Sequence, residues 1–112
     1  MIYLLTEKAT AQQVQEMLEI YSDMIKIVVD IRRSILAGGS EMHYECEELL
    51  LDNSSEQDDL WGANWFSSDQ HIDFESLINI RPRLGNRNMI IQNTEIRQEV
   101  EAVTNHFLGG VS

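Results

Sequence analysis

Asp59-Leu60-Trp61-Gly62-Ala63-Asn64-Trp65-Phe66 reads as one strand, Ser67-Ser68-Asp69-Gln70 as a polar break, and His71 to Arg81 as a second strand. In the second, Ile72, Phe74, Ser76, Ile78 and Ile80 share a face by period-two alternation, with Asp73, Glu75, Leu77 and Asn79 opposite. One buried face and one mostly wet face is the antiparallel pattern. In the first, Trp61, Ala63 and Trp65 share a face. Gly62 has no side chain to pack, so it marks a bulge or a close approach by a neighbour. A hairpin alone is marginal in water and needs further strands or a covering helix.

Working outward, the 112 residues suit one domain, spanning 1–112. Its expected parts are a helical half over about 8–52, a sheet over about 58–92 and a last helix over about 94–108. Hydrophobic content of 43% and charged content of 24% are those of a globular chain. The opening Met1-Ile2-Tyr3-Leu4-Leu5 is too short an apolar run for a signal peptide, and no run reaches the roughly 20 residues of a membrane helix. A single cysteine, Cys46, excludes an internal disulfide and a cysteine-rich zinc site, and a reducing cytoplasm is the expected location. The net charge of −11 is concentrated: Ser34 to Ile80 holds 11 acids and no lysine or arginine, while the rest is neutral. That argues against nucleic acid, where phosphate attraction dominates affinity. It permits a protein partner with a basic surface, or a solvated acidic face.

Ile2 to Leu5 is a candidate strand. Thr10 with Gln13 forms a capping box for a helix carrying Val14, Met17, Leu18 and Tyr21. Met24 to Ala37 is ambiguous. Its β-branched content suits a strand. On a helical wheel, Met24, Ile27, Val28, Ile31 and Ile35 gather on one side and only Arg32 is out of place, so helix is the preferred reading. Ser40 is a candidate N-cap for a helix over Glu41 to Asp52, with an apolar stripe (Met42, Cys46, Leu49, Leu50) and an acidic one (Glu41, Glu45, Glu48, Asp52). Pro82 and Gly85 interrupt any ladder after Arg81. Asn88 to Gln92 reads as a third strand. Asn93 or Thr94 then caps a helix with Ile96, Val100, Val103 and Phe107 as its stripe.

Asp59-Leu60-Trp61-Gly62-Ala63-Asn64, Ser76-Leu77-Ile78-Asn79-Ile80-Arg81-Pro82 and Gly85-Asn86-Arg87 together resemble a small bacterial family known only as a domain of unknown function, DUF5674. Val28-Val29-Asp30-Ile31 and Leu36-Ala37-Gly38-Gly39, with Glu41 and His43, match its pattern as well. Ser54-Ser55 departs from it where a Gly-Ser turn is expected. The resemblance brings no activity, substrate or cofactor.

Three groups of residues bear possible chemistry. His43 and Glu47 lie four apart, on one face of a helix, with Glu41 near. A histidine with carboxylates can do acid–base work or hold a divalent metal, but the second histidine of a metalloprotease motif is absent. Arg81, Arg83 and Arg87 fall within seven positions beside Asn86, a candidate anion site or interface, unless they pair with the chain's own acids such as Asp58 and Asp59. Trp61 and Trp65 are core if their strand face is covered and an interface if it is open.

The expectation is therefore an α+β domain, an antiparallel three- to four-stranded meander covered by three to four helices. For function it is a non-catalytic, self-associating interaction or ligand-binding module with an acidic face and no cofactor. The alternative is a small enzyme or divalent-metal-binding protein using Glu41, His43, Glu47 and the Arg81–Arg87 loop. Self-association is expected because the wide apolar arc of Met24–Ala37, the two tryptophans and the last helix exceed what so short a chain has elements to cover.

Overall fold

In the computed structural model, which describes residues 1–111, Leu60–Phe66 is a strand of a five-stranded antiparallel sheet. The elements in chain order are β1 (Tyr3–Leu5), α1 (Ala11–Met17), β2 (Met24–Asp30), β3 (Ile35–Gly38), α2 (His43–Asp52), β4 (Leu60–Phe66), β5 (Ile72–Asp73) and α3 (Thr94–Leu108). Short 3-10 turns occupy Gln57–Asp59, Leu77–Asn79 and Pro82–Leu84. The sheet order is β1-β3-β2-β4-β5. The fold is α+β, with five strands where three to four were expected and three α-helices among the described residues.

Met24–Ala37 is a hairpin, not a helix, so the stretch 8–52 is not purely helical. Asp30 makes the turn: its buried Oδ1 accepts the backbone N–H groups of Arg32 (3.0 Å) and Arg33 (2.9 Å), and Ser34 takes a positive φ of 54°. Asp30 Oδ2 accepts the Ser55 hydroxyl at 2.6 Å, which ties the turn to the end of α2. The strand shows no clean alternation because both faces of the sheet are covered. Ile25, Ile27 and Val29 enter one core with Trp61, Ala63 and Trp65, closed by Val14 and Met17 of α1 and by Val100 and Phe107 of α3. Val28 enters a second core with Ala37 and Leu60, closed by Cys46 and Leu50 of α2.

Trp61 and Trp65 are therefore both core, 1% and 0% exposed, and neither is at an interface surface of the folded chain. The apolar faces that motivated a second copy are largely covered within one chain. The α3 stripe is likewise turned inward, with Ile96 only partly buried.

The second strand of the central hairpin is much shorter than its alternation implies. β5 pairs with β4 only at Asn64↔Asp73 and Trp65↔Ile72, after which the chain leaves the ladder. Gly62 and Asn79 explain the departure. A Cβ on Gly62 would sit 2.6 Å from Ser76 Cβ, so the chain crosses directly over that glycine. The Asn79 side chain then stands in for a strand backbone: its Oδ1 accepts Gly62 N–H at 2.8 Å and its Nδ2 donates to Gly62 C=O at 2.9 Å. Phe74 consequently packs in the first core and Ile78 in the second, although alternation places them on one face. Asn88–Gln92 is no strand; an isolated bridge, Glu75↔Ile90, and the Asn79 amide donating to Met89 C=O at 3.1 Å join it to the preceding segment.

Local signals elsewhere fared better. The Thr10–Gln13 capping box is present, at 3.1 and 2.9 Å. Asn93 caps α3 by accepting from Ile96 N–H. Ser40 lies before α2 without being its N-cap, a position Met42 holds; its hydroxyl donates to Met42 C=O at 2.6 Å.

Candidate functional site

Three strands bring Lys26, Asn64 and Asp73 side by side, since Lys26 pairs with Asn64 and Asn64 with Asp73. All three point to the face that carries α2, because Val28 of the same strand face packs there. α2 packs on β2 and β3, and only its amino end borders this corner. The row is thus the floor of a cleft of about 310 Å³. Met42, His43 and Tyr44 at the amino end of α2 form one wall. Glu75, Ser76, Leu77 and Ile78 form the other, with Met89 beside them.

His43 is the first residue of α2 and is 7% exposed. Its Nε2 lies 2.8 Å from Ala63 C=O. A carbonyl only accepts, so Nε2 carries the proton and Nδ1 is left as an acceptor in the neutral ring. Burial pushes the imidazole below its ordinary value; the Ala63 carbonyl opposes that, and the charge of Lys26 adds to it. The unfolded chain thus takes up this proton first, starting near pH 6.5. The stabilising contribution of neutral His43 is complete above that pH and is lost as pH falls below it toward the folded value. Melting temperature measured from pH 7.5 to 5.5 should therefore fall more for the parent than for His43→Gln. A gap between the two that does not change with pH would contradict this.

Asn64 is fixed by its partners. Its Nδ2 donates to Glu75 C=O at 3.2 Å and, at 3.5 Å, to Asp73 Oδ1. Both are acceptors, so the amide is not turned over. Asn64 Oδ1 is buried and has no partner among the described residues. Lys26 lies over the Tyr21 ring at 5.6 Å, and neither it nor Asp73 nor Glu75 forms an ion pair among the described residues.

The sequence-based site residues do not converge. Glu41 is exposed and contributes only its backbone carbonyl, to the Tyr21 hydroxyl. His43 faces the cleft just described. Glu47 faces a separate one, of about 330 Å³, where it pairs with Arg81 at 2.9 Å. Among the described residues no three His, Cys, Asp or Glu side chains gather closely enough to hold a metal ion.

The arginine loop is likewise dispersed. Arg81 is buried and donates to Ile78 C=O, Gln57 C=O and Glu47. Arg83 pairs with Asp58 through both terminal nitrogens, the internal pairing that the acid-rich sequence allows. Arg87 is exposed, with only its backbone N–H bonded, to Gln92 Oε1. Asn86 is structural: its Nδ2 donates to the carbonyls of Asn79, Asn88 and Ile90, and its Oδ1 accepts Gln92 N–H.

Cys46 is a buried thiol. The Ser40 hydroxyl proton already goes to Met42 C=O, so at the 3.1 Å contact Cys46 is the donor. Burial pushes its pKa up, away from the thiolate a nucleophile needs.

Lys26, Asn64, Asp73 and Glu75 escaped the sequence reading. One signal was available: Lys26 is the lone charge inside the apolar run Met24–Val29, which a buried strand tolerates only at a special place.

No helix among the described residues is long and apolar enough to cross a membrane. No curated protein and no solved structure matches the chain. A family model described as "Protein of unknown function (DUF5674)" matches residues 3–107, nearly the whole fold including every residue of the cleft, and the chain belongs to that family.

Proposed function

We propose that the chain is a non-catalytic ligand-binding module and that the cleft floored by Lys26, Asn64 and Asp73 is its site. The observation that carries this reading is charge left unpaired in a concavity. In the neighbouring cleft, which shares Leu77 and Ile78 with this one, the charges are paired: Arg81 with Glu47 and Arg83 with Asp58. Inside this cleft Lys26, Asp73 and Glu75 have no such partners among the described residues. A volume near 310 Å³ is at the small end for ligand pockets, so the ligand is small. The apolar side chains of Met42, Leu77, Ile78 and Met89 supply the contact area.

The absence of catalysis rests on the disposition of the reactive groups. Glu47, the carboxylate closest in sequence to His43 on its helix face, is committed to Arg81. Cys46 is sealed in the core, and Ser76 Oγ accepts from Ile78 N–H as the cap of its turn. No nucleophile lies in hydrogen bond with His43 among the described residues.

Titrating ¹⁵N-labelled protein with a library of small polar fragments tests the site. Amide shifts should cluster at Lys26, His43, Asn64 and Asp73. Shifts that cluster elsewhere, or none from any fragment at millimolar concentration, would refute the reading.

A further inference from the structure

The cleft is polarised, and its polarity specifies a class of ligand. Lys26 stands on β2, and the amino end of α2, which lines the same cleft, adds partial positive charge. Asp73 and Glu75 stand on the far side, at and beyond β5. Two strand spacings, roughly 10 Å between backbones, separate Lys26 from Asp73. One side therefore attracts an anion and the other a cation, over a distance that one small molecule spans.

Asp73 is prepared for this. Its Oδ1 is held by the N–H of Glu75 at 2.9 Å, while Oδ2 has no partner among the described residues. The remaining wall is apolar, from Leu77, Ile78 and Met89.

We infer that the ligand is a zwitterion of the α-amino-acid type, its carboxylate toward Lys26, its ammonium toward Asp73 and Glu75, and its apolar side chain on Leu77, Ile78 and Met89. This rests on the cleft being the binding site. A purely anionic ligand would meet two unpaired carboxylates, and a purely cationic one would meet the unpaired lysine. A molecule carrying both charges satisfies both sides at once.

Calorimetric and NMR titrations with L-leucine, L-methionine and L-phenylalanine test the class. Each is compared with its amide, which lacks the carboxylate, and with its N-acetyl derivative, which lacks the ammonium. At least one free amino acid should bind with shifts at Lys26, Asn64 and Asp73, and each blocked form should bind at least tenfold more weakly. Lys26→Met should weaken the free amino acid but not its amide. Asp73→Asn, which keeps an acceptor for Glu75 N–H, should weaken the free amino acid but not its N-acetyl form. Equal binding of a blocked and a free form overturns the inference. So does binding of other fragments in the cleft with none of the three amino acids, a result that leaves the module reading intact. Loss of all cleft binding removes both.

Discussion

Asn79→Ala is expected to destabilise the protein by about 3–5 kcal/mol. Asn79 is fully buried, and its amide serves four backbone groups: Gly62 N–H and C=O, Phe74 C=O at 3.3 Å and Met89 C=O at 3.1 Å. Alanine leaves all four without a side-chain partner. Phe74 C=O and Met89 C=O keep the backbone N–H groups of Ile91 and Ser76, so the two Gly62 groups are the ones stranded, at about 1–3 kcal/mol each, beside the lost packing. The loss does not stay local, because Gly62 sits in β4 between two cores while Phe74 and Met89 belong to the segments that end the sheet. Asn79→Asp should also destabilise, since a carboxylate oxygen would then face three carbonyl oxygens. The emission of buried Trp61 and Trp65 reports unfolding directly, so urea titration is the measurement. A midpoint shift worth under 1 kcal/mol for Asn79→Ala would show that Asn79 is not the joint described here.

That joint is also where sequence reasoning stopped. Local chemistry read correctly: Thr10 with Gln13, Asn93 with Ile96, and the Trp-containing strand are each decided by residues within a few positions. Met24–Ala37 misread because a strand covered on both faces loses its alternation, and the leftover pattern of Lys26, Asp30, Arg33 and Ser34 imitates a helix wheel. Arg32, the residue out of place on that wheel, was the useful signal; with Arg33 and Ser34 it forms the turn. His71–Arg81 misread for the opposite reason. Its alternation is good, yet Asn79 intercepts Gly62 and sends Phe74 and Ile78 into different cores. Nothing local announces a side chain that replaces a backbone partner 17 positions away. The site was illegible for a related reason. Lys26, Asn64 and Asp73 meet only through strand register, and the register depends on the hairpin that the wheel concealed.

The second large effect concerns Glu47 and Arg81, whose side chains are 12% and 9% exposed. Arg81 joins three segments: Glu47 on α2, Gln57 before β4, and Ile78 on the turn after β5. Its guanidinium also lies 5.8 Å from the Trp61 ring centre. Arg81→Met removes the counter-charge and strands Glu47 in a poorly hydrated place, a loss of about 3–5 kcal/mol. Glu47→Gln is milder, because Arg81 keeps two backbone carbonyls and a neutral acceptor at the same point. The double variant Glu47→Gln/Arg81→Met should be more stable than Arg81→Met alone. It buries no unpaired charge, and methionine fills most of the arginine's aliphatic path. The expected cycle is therefore strongly non-additive, with a coupling of about 1–3 kcal/mol between residues 47 and 81. Such coupling would establish that these two members of the sequence-based site are structural. Additive effects in the cycle, or a double variant no more stable than Arg81→Met, would mean that the pair is not what holds α2 to the turn at Leu77–Asn79. Because that turn is also a wall of the cleft floored by Lys26, Asn64 and Asp73, the same three variants should change the amide shifts of Ser76 and Leu77 more than those of Lys26 on the opposite side.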